Sequence, residues 1–360
     1  MDYESIFREQ LGNLDLSGME AILCNDFIPK DLKSLVSVKD IVTNMLTGKE
    51  IISFEKIIYI LKSIVLGELN DILILAGELL IICIITGLLA AVVNGFGSDT
   101  VSETATVVSL FMAAGISMSA FYEVYLVCHD AVKAMTDLML VSFPVVFGLT
   151  VASGGATSGT VMDTVLSGSV TAFSTIVLKI LLPLVFISCI LVIVNSVSKK
   201  NYVKKLSQFM RNGALFCTGF LITIFSGLSV IQGMMTKSAD NILLNTARYS
   251  IDNFVPFVGR FTADSLEMVL TCIRSVRNGV GIAGIIILII ILLVPLVKAV
   301  LITIVFKITA IILEPAGNDR IADCMGDMGQ ASMMLVSMLL LSSMMFIIFF
   351  GTVVKFAPGG

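Results

Sequence analysis

Two stretches of this sequence, 165–197 and 280–313, stay apolar for about 33 residues each. A straight helix needs only about 20 residues to cross about 30 Å of hydrocarbon. Each run is therefore too long for one straight crossing and too short for two. Each also carries a proline near its middle, Pro183 and Pro295, with Lys179 in the first run and Lys298 and Lys307 in the second. Proline removes a backbone donor and crowds the preceding turn, so both runs are expected to form kinked or broken helices. A lysine at such a depth is costly unless it faces protein or water, or reaches the interface. Composition agrees with a chain built for lipid. It is 57% hydrophobic and 14% charged, with mean hydropathy +1.00, whereas soluble domains are about 25% charged.

Other apolar runs place the rest of the chain around these two. Residues 1–53 are polar and are expected to form a mostly helical extramembrane region. Residues 54–71 (FEKIIYILKSIVLGEL and the two that follow) alternate apolar and charged residues at helical spacing, the pattern of an amphipathic interfacial helix. Two spans follow within 72–127, at 72–93 and 104–127. A membrane unit at 134–232 comprises a span with Pro144, the first overlong run, a polar loop and a span at 212–232. A second unit covers 240–355. The fold class is all-α: a polytopic helical membrane protein with about seven or eight membrane segments. Pro144, Pro183, Pro295 and Pro315 are the expected helix breaks.

The two units correspond. LLPLV at 181–185 and LVPLV at 293–297 are related by the same shift along the chain as Pro144 and Pro256. Charge suggests that the second unit is inverted. The loop at 199–211 holds Lys199, Lys200, Lys204, Lys205 and Arg211 with no acid, and so is expected on the cytoplasmic side. Its counterpart at 314–327 holds Glu314, Asp319, Asp323 and Asp327 against Arg320, and is expected on the other side. Such an inverted repeat needs residues 240–263 to cross most of the membrane.

Those residues belong to the stretch NTARYSIDNFVPFVGRFTADS (245–265), which sets two charge pairs one helical turn apart, Arg248 with Asp252 and Arg260 with Asp264. Asn253, Pro256 and Gly259 lie between them. Two readings stay open. One is a polar, hydrated lining or assembly contact. The other is an interfacial helix whose solvated pairs contribute about 0.3–0.5 kcal/mol each.

Catalytic chemistry is not indicated. The one histidine, His129, stands beside Asp130 in an expected loop, and neither a GxxxxGK[ST] phosphate loop nor HExxH occurs. No catalytic, cofactor-binding or metal residue is expected, and no cofactor. The seven cysteines are scattered singly and read as small buried hydrophobes. A net charge of −4 argues against nucleic acid. The start, MDYESIFREQ, lacks the basic and apolar regions of a signal peptide.

The 245–265 stretch, together with VASGG (151–155), LLPLVFISCILVIV (181–194) and FKITAIILEPAG (306–317), resembles the stage III sporulation protein AE family of endospore-forming bacteria, from about residue 50 to the end. The resemblance implies a multi-pass, non-enzymatic core subunit of the transenvelope, or feeding-tube, complex, located in the mother-cell membrane surrounding the forespore. It implies as partners other stage III A-operon sporulation proteins, including a separate ATPase and ring-forming proteins, and the forespore protein Q. A homo-oligomer acting as platform or conduit, in contact with membrane lipid, is the expected form. Members of that family begin with a cleaved signal peptide, and on this point the chain departs from the pattern. The alternative is a secondary transporter or permease with its substrate site between inverted halves.

Overall fold

Hydrocarbon offers no partner to a backbone N–H or C=O, so a chain this apolar has to close its hydrogen bonds within each segment. The computed structural model of the protein is helical accordingly. It describes residues 17–23, 54–96, 99–152, 156–198, 203–254, 259–315 and 319–355, with parts of 39–44, and between 232 and 270 it describes the backbone only. A short helix α1 (Ser17–Leu23) precedes α2 (Phe54–Phe96), α3 (Asp99–Ala152) and α4 (Ala156–Ile176). A π-helical turn (Val177–Leu181) leads into α5 (Leu182–Val197), followed by α6 (Lys204–Phe254), α7 (Gly259–Leu313) and α8 (Asp319–Lys355). Among the described residues, five segments are long and apolar enough to cross a membrane: Val107–Ala152, Thr164–Val197, Lys204–Ile231, Thr271–Leu313 and Asp319–Thr352. The protein is a polytopic helical membrane protein.

Several sequence-based boundaries shift. The expected spans at 104–127 and 134–152 are parts of one helix, α3, whose 54 residues extend about 80 Å at about 1.5 Å per residue. His129 therefore lies on a helix, not in a loop. Between Gly115 and Pro144 there is neither glycine nor proline, so nothing in that stretch halts propagation. The prolines also divide into two kinds. Pro144 and Pro295 lie inside α3 and α7, which continue through them; each leaves one carbonyl without its usual donor and does not end the helix. Pro183 stands at the start of α5, directly after the π-helical turn, where the Leu182 N–H reaches back to the Val177 carbonyl. The wider turn shifts the hydrogen-bond register just ahead of the proline, and bulges of this kind are often placed at functional sites. Pro315 lies in the turn after α7, where the helix ends.

Helices α3 and α8 occupy the middle of the bundle. Helix α8 packs along α7, and also against α3, α6 and α5; α3 in turn meets α7, α8, α4 and α2. The α7–α8 hairpin is tight where small residues allow it. A Cβ at Gly284 would collide with the Phe350 ring, and one at Gly329 would come within 3.2 Å of Lys307 Cγ. Five buried hydroxyls are satisfied locally: Thr136, Ser142, Thr150, Thr218 and Thr303 each donate to the carbonyl four residues earlier, at 2.6–2.8 Å. These bonds remove the cost of burying a polar group.

The expected inversion of the second half does not hold. Near the α5–α6 turn, the Cys324 thiol at the start of α8 shares a hydrogen bond with Ser196 at the end of α5. Arg211, in the second turn of α6, donates from Nη1 to the Asp327 carbonyl (2.8 Å), and its Nη2 lies 3.7 Å from Asp327 Oδ1. The end of α5, the start of α6 and the start of α8 therefore lie together at one end of the bundle, where α7 also ends. At the other end, Arg277 of α7 donates to Thr150 of α3 at 3.4 Å. The run through α4 and α5 points the same way as α7, and α6 the same way as α8. Two crossings, not three, separate the equivalent elements, so the halves are parallel. Of the stretch 240–263, residues 240–254 are the end of α6 and 259–263 the start of α7.

Candidate functional site

Contacts between helices fix the height of each residue in the bundle. Ser117 of α3 donates to Met325 Sδ (3.1 Å), and the Phe143 ring packs against Phe349 with centroids 4.9 Å apart. The stretch of α3 from Ser117 to Phe143 therefore runs beside the stretch of α8 from Met325 to Phe349, in the same direction. Helix α7 runs oppositely beside α8, with the Thr303 and Ser332 hydroxyls sharing a hydrogen bond of 2.8 Å and Gly284 facing Phe350. At these heights α8 is uncharged from Met328 to Phe349, and α7 is uncharged from Gly284 to Val297. Helix α3 differs. Over the same height it carries Glu123, His129, Asp130, Lys133 and Asp137.

Those charges point outward. Glu123, Asp130, Lys133 and Asp137 recur at intervals of seven, three and four residues, which places them on one face of a helix. All four are exposed, with Glu123 at 59% and Asp130 at 64% of full side-chain exposure. His129 Nδ1 lies 3.2 Å from Asp130 Oδ1. Facing lipid at a helix centre, each Asp or Lys would cost about 2.5–3.5 kcal/mol on insertion scales.

The polar face continues on both sides of this stripe. On one side, Lys298 of α7 reaches between two carboxylates, its Nζ 3.6 Å from Glu68 Oε2 of α2 and 3.6 Å from Glu123 Oε2. The expected cost of a lysine within an apolar run is met here by two carboxylates from two neighbouring helices. A cavity of about 420 Å³ surrounds this triad, and Asp71, Glu78 and Ser119 also line it. Among the described residues, no group of His, Cys, Asp or Glu is arranged to hold a metal ion. On the other side, Thr136 of α3 and Ser174 of α4 share a hydrogen bond of 2.6 Å. Beyond it, a shallow groove of about 850 Å³ lies between Leu140 and a run of small residues on α4, including Ser167, Gly168, Thr171 and Thr175. One turn past Thr175, exposed Lys179 sits in the π-helical turn.

The residues expected as a site from sequence are distributed otherwise. Arg248, Asp252 and Asn253 lie in the last turns of α6, and Gly259, Arg260 and Asp264 in the first turns of α7. Their side chains fall outside the described residues, as does Pro256 altogether. Of the expected basic loop, Lys199 and Lys200 lie outside the described residues; Lys204, Lys205 and Arg211 are on α6. Arg211 is only 2% exposed: it is a packing residue paired with Asp327, not a loop charge. The α3 stripe was missed because its charges interrupt an apolar sequence and so read as a loop. The seven–three–four spacing, uninterrupted by glycine or proline, is the signal that marks it as one helical face.

A bundle of long apolar helices with a charged face at mid-height defines an integral membrane protein whose polar groups are placed for contact with water or protein. Comparison of the whole chain makes the class specific. The chain belongs to the Stage III sporulation protein AE family, whose model matches residues 36–357. Stage III sporulation protein AE of Bacillus subtilis (strain 168) is 28% identical over 272 residues, covering 76% of this chain and 68% of the relative. No solved structure matches the chain.

Proposed function

We propose that this chain is a non-enzymatic core membrane subunit of the sporulation transenvelope complex, seated in the mother-cell membrane around the forespore. There it acts as a platform or conduit between the two cells. Its partners are other stage III A-operon proteins, including the separate ATPase and ring-forming proteins, and the forespore protein Q. The observation that carries the platform reading is the length of α6 and α7. The apolar run of α6 ends near Ile231, after which Lys237, Asp240, Arg248 and Asp252 appear, yet the helix continues to Phe254, which adds about 35 Å of helix at about 1.5 Å per residue. Helix α7 begins at Gly259, about six turns before Val280, where its apolar run starts. Two helical arms that outrun the apolar runs, one ending at Phe254 and the other beginning at Gly259, suit a docking element for another subunit. Arg260 and Asp264 lie on the second arm. Replacing either by alanine is expected to abolish recovery of the partner proteins in a pull-down from sporulating cells, with membrane insertion unchanged. Normal recovery from both variants would remove the docking role.

The cavity around Lys298 favours a second reading, a secondary transporter. With parallel halves, its site would lie between α2, α3 and α7 and not between inverted repeats. Solute movement against an ion gradient by the purified chain alone in liposomes separates the two readings.

A further inference from the structure

The geometry points to the α2–α3–α4 face as the wall of a water-filled path through the membrane, closed by neighbouring copies of this chain and favouring cations. This rests on the conduit reading above and names its lining and its solute class. Three observations carry it. First, height: Asp130, Lys133 and Asp137 lie between Ser117 and Phe143, level with a part of α8 and α7 that has no charged residue. Water or protein has to face them there. Second, continuity: the stripe joins the Lys298 cavity through Glu123, which belongs to both, and the Ser/Thr groove of α4 begins at Leu140, one turn beyond Asp137. Polar surface thus extends across three helices, too wide for one side chain to shield. Third, sign: Glu68, Asp71, Glu78, Glu123, Asp130 and Asp137 face Lys133, Lys179 and Lys298, six acids against three lysines, or −3 for the face. A lumen with a ring of such faces concentrates cations.

A second copy fits the open side better than an unrelated partner. Along the stripe the charges alternate in sign, Asp130, Lys133, Asp137, so that two faces can set the lysine of one opposite a carboxylate of the other. The outer surfaces of α5 and α6 offer nothing comparable, carrying exposed Ile187, Phe209, Phe216 and Phe220.

The test uses the full chain in liposomes, with its seven native cysteines replaced. Single cysteines are placed at Asp130, Lys133 and Thr171 on the proposed wall, and at Ile187 and Phe216 on the apolar surface. Charged methanethiosulfonates react with thiolate, which needs water, so the wall positions are expected to react at least about tenfold faster than the apolar ones. The cationic reagent should outpace the anionic one at Thr171→Cys, whose substitution leaves the charge unaltered. A short bifunctional methanethiosulfonate should join two copies at Lys133→Cys and not at Phe216→Cys. Wall rates equal to the apolar controls would overturn the hydrated path. Equal rates for the two reagents would overturn the cation preference, and accessible positions that do not cross-link would overturn closure by copies. Labelling is read without partner proteins, so its failure is distinct from failure of the pull-down, which tests membership of the complex.

Discussion

Two outer faces of this bundle stand at the same height and obey opposite rules. The face of α6 presents Phe209, Phe216, Phe220, Ile224 and Ile231 outward, with Phe209 and Phe216 about three-quarters exposed. The face of α3 presents Glu123, Asp130, Lys133 and Asp137. Both helices are long and both count as apolar enough to cross a membrane, so average hydropathy does not separate them. What separates them is where the polar residues fall around the helix. On α6 the hydroxyl of Thr218 turns inward and bonds its own backbone, leaving rings and aliphatic chains for lipid. On α3 the inward side is filled by residues such as Phe121, Val124, Cys128, Met135 and Leu138, and the charges are left outside. One face is solvated by hydrocarbon. The other requires water or protein.

The contact that fixes α6 in place is expected to matter most. Arg211 is buried, and its only ion pair among the described residues is with Asp327, itself largely covered. Removing one partner of a buried pair leaves an uncompensated charge, at a cost of about 3–5 kcal/mol. Arg211→Ala should therefore lower thermal stability in detergent sharply, and Arg211→Ala with Asp327→Ala should recover part of the loss. If the double variant is no better than the single, the pair is not what joins the α5–α6 hairpin to α8, and the parallel arrangement of the halves loses its main support.

Next in size is a direct exchange of the two rules. Phe216→Asp places on α6 the kind of residue that α3 carries at Asp130. A carboxylate at the centre of a lipid-facing helix costs about 2.5–3.5 kcal/mol on insertion scales, so the variant should insert poorly, as read by carbonate extraction of membranes. Insertion equal to that of the unaltered chain would mean that α6 also faces water or another subunit, and the contrast between the faces would vanish.

The sequence made parts of this legible for physical reasons. Long apolar runs identify α7 and α8 because hydrocarbon tolerates little else over that length. Orientation is not legible in loop charge, because the sequence does not tell which charges fold away. Arg211 reads as a cytoplasmic loop charge in the sequence, whereas it lies inside a helix and is paired by Asp327, from the acidic segment expected on the other side. The triad at Lys298 was equally hidden. Glu68, Glu123 and Lys298 come from three helices far apart along the chain, and no local pattern ties such positions together. For Arg248, Asp252, Arg260 and Asp264 the helices are now placed, and the pull-down is what decides their role.

The smallest expected effect is the most discriminating for the polar face. Asp137 is exposed on α3, one turn from the Lys133 position on the same helical face. If the face were in lipid, neutralising the carboxylate as Asp137→Asn would relieve much of the insertion cost of a charge, about 1 kcal/mol or more. If the face is wet, the carboxylate is already solvated, and the substitution should fall within about ±0.5 kcal/mol, as surface changes do. The measurement is the midpoint of unfolding for the reconstituted protein, compared with Phe216→Leu as the matching change on the apolar side. Near-identical midpoints for Asp137→Asn and the unaltered chain are the expected result. A clear gain in stability would place Asp137 against hydrocarbon, and α3 would then be a strained helix held by its neighbours rather than the water-facing side of the bundle.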